Sequence, residues 1–146
     1  MTAERDLLAT LDMYAEAYCA KDIDRLMGLF DEGDDVSVIG TGEEELCSGR
    51  AEIQDLFRRK LRGATAHRFD WHWTQVTVRR DTGVIAASLT IHLDIDDQPM
   101  QVPVRWTVAL SRRDDRWVWL HRHASSAAGS QRAGTAYPTW EPTDNP

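Results

Sequence analysis

The sequence predicts an α+β protein in which three helices come first and pack on one side of a curved, mostly antiparallel sheet. Two observations predict it. Apolar residues recur at helical spacing as far as Gly63 and alternate with a period of two after it, and turn-forming residues then cut the second half into four strand-length segments. A third observation sets the scale. The 146 residues are 42% hydrophobic and 28% charged, near the globular average, and a chain of that length buries roughly 70% of its unfolded surface in one core.

The first helix is read from Thr2 to Ala20, where Leu7, Leu11, Tyr14 and Tyr18 fall on one stripe behind Thr2 as N-cap. Asp22 caps a second, short helix to Phe30, because Ile23, Leu26, Met27 and Phe30 share a face before the DEGDD cluster breaks it. Val36 and Val38 lie in a first short strand. A turn at Gly40 to Gly42 and the acidic run Glu43, Glu44, Glu45 follow, and such a run reads as solvated surface. Ser48 and Gly49 open the third helix, which buries Ile53, Leu56, Phe57 and Leu61 and ends near Arg62. The four long strands are Asp70 to Arg79, Val84 to Leu93, Met100 to Arg112 and Arg116 to Ser125. Turns at Arg80 to Gly83, Asp94 to Gln98 and Asp114 to Asp115 separate them. Residues 1–125 are thus one domain. Residues 126–146 hold three of the five prolines among Ser, Ala, Gly and Thr, a composition without a core, and are expected to form a mobile tail. Its Tyr137 and Trp140 are either docking aromatics or exposed residues without a role.

The net charge of −7 argues against nucleic acid as a partner, whose affinity comes from clustered cations. No apolar run reaches the roughly 20 residues of a membrane span, and the start MTAERD lacks the order of a secretion signal, so a soluble cytoplasmic protein is expected. Cys19 and Cys47 are too few for a disulfide framework. They read as buried hydrophobes, and a bridge between them is not expected in a reducing compartment.

The run Tyr14-x-x-Ala17-x-x-Ala20-x-Asp22-x-Asp24, with Leu29-Phe30 behind it, resembles the start of the NTF2-like (cystatin-like) superfamily. Val38-Ile39-Gly40-Thr41-Gly42 with Glu45, Gly49-x-x-x-Ile53, Arg105-x-Thr107, Trp117 and His121-x-His123-x-Ser125 extend the likeness to about residues 5 to 125. Together they resemble SnoaL-like proteins, in the subgroup related to the calmodulin-dependent kinase association domain and more distantly to polyketide cyclases and ketosteroid isomerase. The resemblance implies a cone with an apolar cavity at its wide end, and a homodimer formed through the outer face of the sheet. In the isomerase branch a helix-one tyrosine and an assisting acid stabilise an oxyanion, and a carboxylate on strand one removes the proton. Tyr14 falls at the tyrosine's place. The base falls at Ile39 or Gly40 and the assisting acid near Thr107, so two of the three groups are missing and steroid isomerase activity is not implied.

Strict alternation on the last strand places Trp117, Trp119, His121, His123 and Ser125 on one face and Val118, Leu120 and Arg122 on the other. Arg105 and Thr107 share a side of the preceding strand. If both sets face the cavity, a cation and two imidazoles converge on an anionic or carbonyl ligand. In that reading His121 or His123 transfers a proton, Tyr14 or Arg105 stabilises negative charge, and Tyr18, Phe30, Trp73, Thr107, Trp117 and Trp119 line the site. The competing reading pairs Arg105 with Glu45 or Asp70, lets the histidines bridge strands, and makes Tyr14 a packed helix-face tyrosine. Trp71 and Trp73, at period two on one strand face, fit a core or a dimer interface ahead of a ligand wall. No metal is expected: His121 and His123 lack a third ligand at a diagnostic spacing, although His72 and His92 also lie on strands. The expected function is therefore binding of a small apolar or aromatic, polyketide-like molecule; catalysis is left open, and if the protein is an enzyme the residues suit cofactor-free acid/base chemistry of the cyclase, isomerase or dehydratase kind. The alternative is a non-catalytic dimerisation or ligand-sensing module.

Overall fold

Capping and turn residues set where each element of the chain begins. The computed structural model describes residues 2–139. Thr2 accepts from the Arg5 amide at the start of α1 (Ala3–Cys19), and Asp22 accepts from the Arg25 amide at the start of α2 (Ile23–Gly28). Two short strands follow, β1 (Ser37–Ile39) and β2 (Leu46–Ser48), then α3 (Arg50–Gly63). The Arg50 side chain donates to the carbonyls of Met27, Phe30 and Asp31, tying the start of α3 to the chain leaving α2. Strands β3 (Thr65–Arg79), β4 (Thr82–Ile95), β5 (Gln98–Arg113) and β6 (Arg116–Ser125) complete the chain. The hairpin between β4 and β5 turns on Asp96 and Asp97, both with φ near +55° (50° and 62°), the backbone that a tight two-residue turn requires.

The strands form one six-stranded, curved, open sheet in the order β2-β1-β6-β5-β4-β3. Every pair is antiparallel except β1 with β6. Helices cover one face. Leu7, Leu11 and Tyr14 from α1 and Ile53, Leu56 and Phe57 from α3 meet Ile85, Leu89, Trp106, Val108, Leu110 and Trp119 from the sheet, and all are buried.

Three expectations change. Glu43 and Glu44 are exposed, as a solvated run should be, but Glu45 at its end is buried, and a further strand, β2, follows it and pairs with β1. The first long strand starts at Thr65 instead of Asp70, because Thr65 and Ala66 already pair with Asp94 and Leu93. The third change is on β6. His121 pairs with Ala109 and Trp119 with Leu110, so Leu120 is an extra residue opposite a single step of β5. This bulge reverses the alternation: Trp117 and Trp119 face the helices, whereas His121 and His123 face outward and Arg122 turns inward.

Residues 126–139 form no helix or strand, and Tyr137 is exposed. Trp140 and the rest of the expected tail lie outside the described residues. Among the described residues no helix is long and apolar enough to cross a membrane.

Candidate functional site

At the end of the sheet away from Trp117, α1 and α3 part from the strands and leave a cavity of about 220 Å³. Its walls come from every layer. Tyr14 and Tyr18 descend from α1, Leu56, Phe57 and Lys60 from α3, and alternate residues of β4, β5 and β6 supply Ile91, Leu93, Val104, Trp106, Arg122 and Ala124. Thr41 and Glu45 enter from the β1–β2 connection.

Tyr14 is the centre of an aromatic cluster. Its ring stacks on Trp119 with centroids 5.2 Å apart and meets Trp106 edge to face at 4.8 Å. Trp119 is itself fixed by its indole N–H, which donates to Thr10 Oγ1 at 2.9 Å, and Thr10 in turn donates to the Leu7 carbonyl. The Tyr14 oxygen accepts from Arg122 Nη1 at 3.0 Å. The guanidinium carbon lies 5.2 Å from the Trp106 ring centroid and 5.9 Å from that of Tyr14. Burial pushes the Tyr14 phenol up, against the opposing charge and hydrogen bond of Arg122, so Tyr14 is a neutral hydroxyl near pH 7. Burial raises Tyr18 as well.

Glu45 reaches the cavity because two glycines make room. A Cβ on Gly40 would collide with the Glu45 carboxylate, and one on Gly42 would stand 2.8 Å from its Cδ. One carboxylate oxygen accepts from the Gly42 amide at 3.0 Å and the other from Lys60 Nζ at 2.8 Å. Burial pushes this carboxyl up, but the bonds from Lys60 and Gly42 outweigh it and hold the group below the usual glutamate range. Glu45 is therefore ionised, with two of its lone pairs still unused.

The structure divides the residues expected from sequence into three groups. Tyr14 and Tyr18 line the cavity. Phe30, Trp117 and Trp119 are buried in the core and do not line the cavity, Phe30 packing against Phe57 and Trp119. Arg105, Thr107, His121, His123 and Trp73 lie on the outer face, away from the cavity. There Arg105 donates to the Ser126 carbonyl and pairs with neither Glu45 nor Asp70, and His121 Nδ1 shares a 2.8 Å hydrogen bond with Ser37. His92 bonds Asp70 at 2.7 Å and His72 bonds Thr90 at 2.8 Å. Among the described residues no three His, Cys, Asp or Glu side chains gather to hold a metal ion. Cys19 and Cys47 are both free thiols.

Sequence reasoning missed Arg122, Glu45 and Lys60. For Glu45 a signal existed: glycines three and five residues ahead of an acid mark a tight loop into which its side chain can fold. For Arg122 there was none, since the bulge at Leu120 has no glycine and no proline to announce it.

Solved structures share this architecture. One described as a calcium/calmodulin-dependent protein kinase II association domain, from Xanthomonas campestris, aligns with a TM-score of 0.77 at 20% identity over 88% of this chain and 91% of that one. A protein from Streptomyces avermitilis, named as a dehydratase of the NTF2-like family, gives 0.74 at 19% identity over 85% and 95%. One from Novosphingobium aromaticivorans, named as an aromatic ring hydroxylase, gives 0.73 at 20% identity over 88% and 93%. No curated protein matches the chain. At these identities the likeness is one of fold. The sequence itself matches the family model of the SnoaL-like domain over residues 7–129, and the chain belongs to that family.

Proposed function

We propose that the chain binds a small, largely apolar molecule in the cavity between Tyr14, Tyr18, Phe57 and Trp106. The observation that carries this reading is the cavity itself: an aromatic and aliphatic enclosure holding a few fixed polar groups, which is how small-molecule sites are built. Its volume of about 220 Å³ lies below the roughly 300–1,000 Å³ of sites for larger ligands. That favours one or two rings or a short chain over an extended polyketide. Assembly as a homodimer through the outer face, where Trp73 is exposed, belongs to the same proposal.

A specific observation favours a second reading, catalysis by proton transfer. Glu45, an ionised carboxylate, and the Tyr14 hydroxyl face one cavity, so a base and a hydrogen-bond donor for a carbonyl oxygen are both at hand. In this reading Glu45 takes the proton-transfer role that alternation gave to His121 or His123, and Tyr14 keeps the charge-stabilising role. The activities in the names of two structural neighbours, a dehydratase and a ring hydroxylase, are compatible with a cavity that handles small organic molecules.

Native mass spectrometry of the untagged protein from its own cells tests the binding reading and the dimer together. The expected result is a dimer that retains an organic molecule of defined mass. An assembly that emerges empty, and stays empty when offered one-ring and short-chain compounds, would overturn the binding reading.

A further inference from the structure

We propose that the cavity is an acid-binding site, whose occupant carries a single carboxylate seated on Arg122 and Tyr14. The proposal rests on the reading that the cavity binds a small molecule and names that molecule's class. Arg122 is 7% exposed, yet it is a permanent cation that points into an apolar enclosure. Of its five donors, the one hydrogen bond made among the described residues is Nη1 to Tyr14, and Nε is buried with no partner. A buried charge is costly unless something pairs with it.

Nothing in the described structure supplies the counter-charge. The carboxylate that lines the cavity, Glu45, is held by Lys60 and the Gly42 amide and forms no ion pair with Arg122. Tyr14 is a neutral phenol, and the rings of Tyr14 and Trp106 present only the weak negative potential of their faces. A ligand carboxylate supplies one negative charge and planar acceptors that match a guanidinium. Tyr14 adds to this. Its oxygen already accepts from Arg122, so its own proton is left to donate toward the same ligand oxygen. The site has one uncompensated cation, since Lys60 is engaged by Glu45, and a second negative group would find no partner. The class is therefore a monocarboxylate whose remainder is one ring or a short chain, lying against Leu56, Phe57, Ile91 and Val104.

Calorimetric titration of the full chain with benzoate and hexanoate, beside their uncharged counterparts benzamide and hexanamide, tests this. The acids should bind roughly ten- to a hundredfold more tightly than the amides, the scale of a hydrogen bond to a charged group. Arg122→Met should abolish the preference and leave the amides little changed, and Arg122→Lys, which keeps the charge without the planar fork, should recover part of it. The acid–amide comparison needs only the unsubstituted protein, so a variant that misfolds does not decide the matter. Amides that bind as tightly as the acids, or more so, would overturn the carboxylate and leave the cavity reading standing. Binding of none of the four compounds would overturn both.

Discussion

The two faces of the sheet differ in how their polar groups are held, and the difference is sharpest along β5 and β6. On the outer face Arg105, Thr107 and His123 are exposed and His121 is half-buried beside Ser37. On the inner face the same two strands present Trp106, Val108, Leu110, Trp119 and Ala124, with Arg122 as the buried cation among them. The outer face is richer in the side chains usually associated with catalysis. The inner face has fewer, but each is fixed: Arg122 against Tyr14, Trp119 against Thr10, Glu45 against Lys60 and Gly42. Water can satisfy a polar group outside, so its presence there implies little. Inside, an unpaired group has no such recourse, and its environment carries the information.

Paired tryptophan truncations should break the comparison most visibly. Trp119 is fully buried among Tyr14, Phe30 and Trp106, and Trp119→Ala should cost about 3–5 kcal/mol. Trp73 on the outer face is 55% exposed, and Trp73→Ala should change stability by no more than about 0.5 kcal/mol. Urea denaturation reads both from the transition midpoints. Equal losses would mean that the outer face is covered in solution, which would sharpen the homodimer proposal at the expense of a free outer surface.

The same β6 strand shows how far the sequence could be read. The apolar stripe of α1, its cap at Thr2 and the last two hairpin turns follow from local rules, because helical period, capping and turn chemistry act within a few residues. Which residues of β6 face inward does not. Alternation is right up to Trp119 and inverted from His121 onward, since one extra residue at Leu120 exchanges the faces. His121 and His123 thereby leave the cavity, and Arg122, the residue with the most to say about the ligand, enters it. Glu45 was hidden differently. In an acidic run it looks solvated, and only the fold brings Lys60 and the Gly42 amide to it.

Glu45 offers the next prediction, of intermediate size. If it is the proton acceptor of the inner face, the protein should speed deuterium exchange next to the carbonyl of a small enolisable ketone such as 2-indanone. Glu45→Gln should then lower that exchange by about a hundredfold or more, the usual range for a general base. Nuclear magnetic resonance in deuterated water follows it directly. Exchange that is unaffected by the substitution would assign Glu45 to holding the loop at Gly40 and Gly42, and leave binding alone as the role of the cavity.

The smallest effects should come from the outer histidines. His123→Ala should leave benzoate affinity unchanged within about twofold, because its side chain is exposed on the outer face and does not line the cavity. His121 should appear instead in the pH dependence of stability. Burial lowers its imidazole below the ordinary value, the Ser37 hydrogen bond opposes this, and the charges of His123 and Arg122 reinforce the lowering. The folded chain thus favours the neutral ring, and the unfolded chain binds more protons as pH falls through the ordinary imidazole value toward the lowered one. Stability should be fully present above that window and decline on acidification through it. His121→Asn, which cannot titrate, should flatten this part of the profile in denaturation at stepped pH. A variant with the same slope as the parent would move the titrating group elsewhere. A variant that also lost benzoate would show that the two faces communicate through Arg122, the residue between His121 and His123 in sequence and behind them in space.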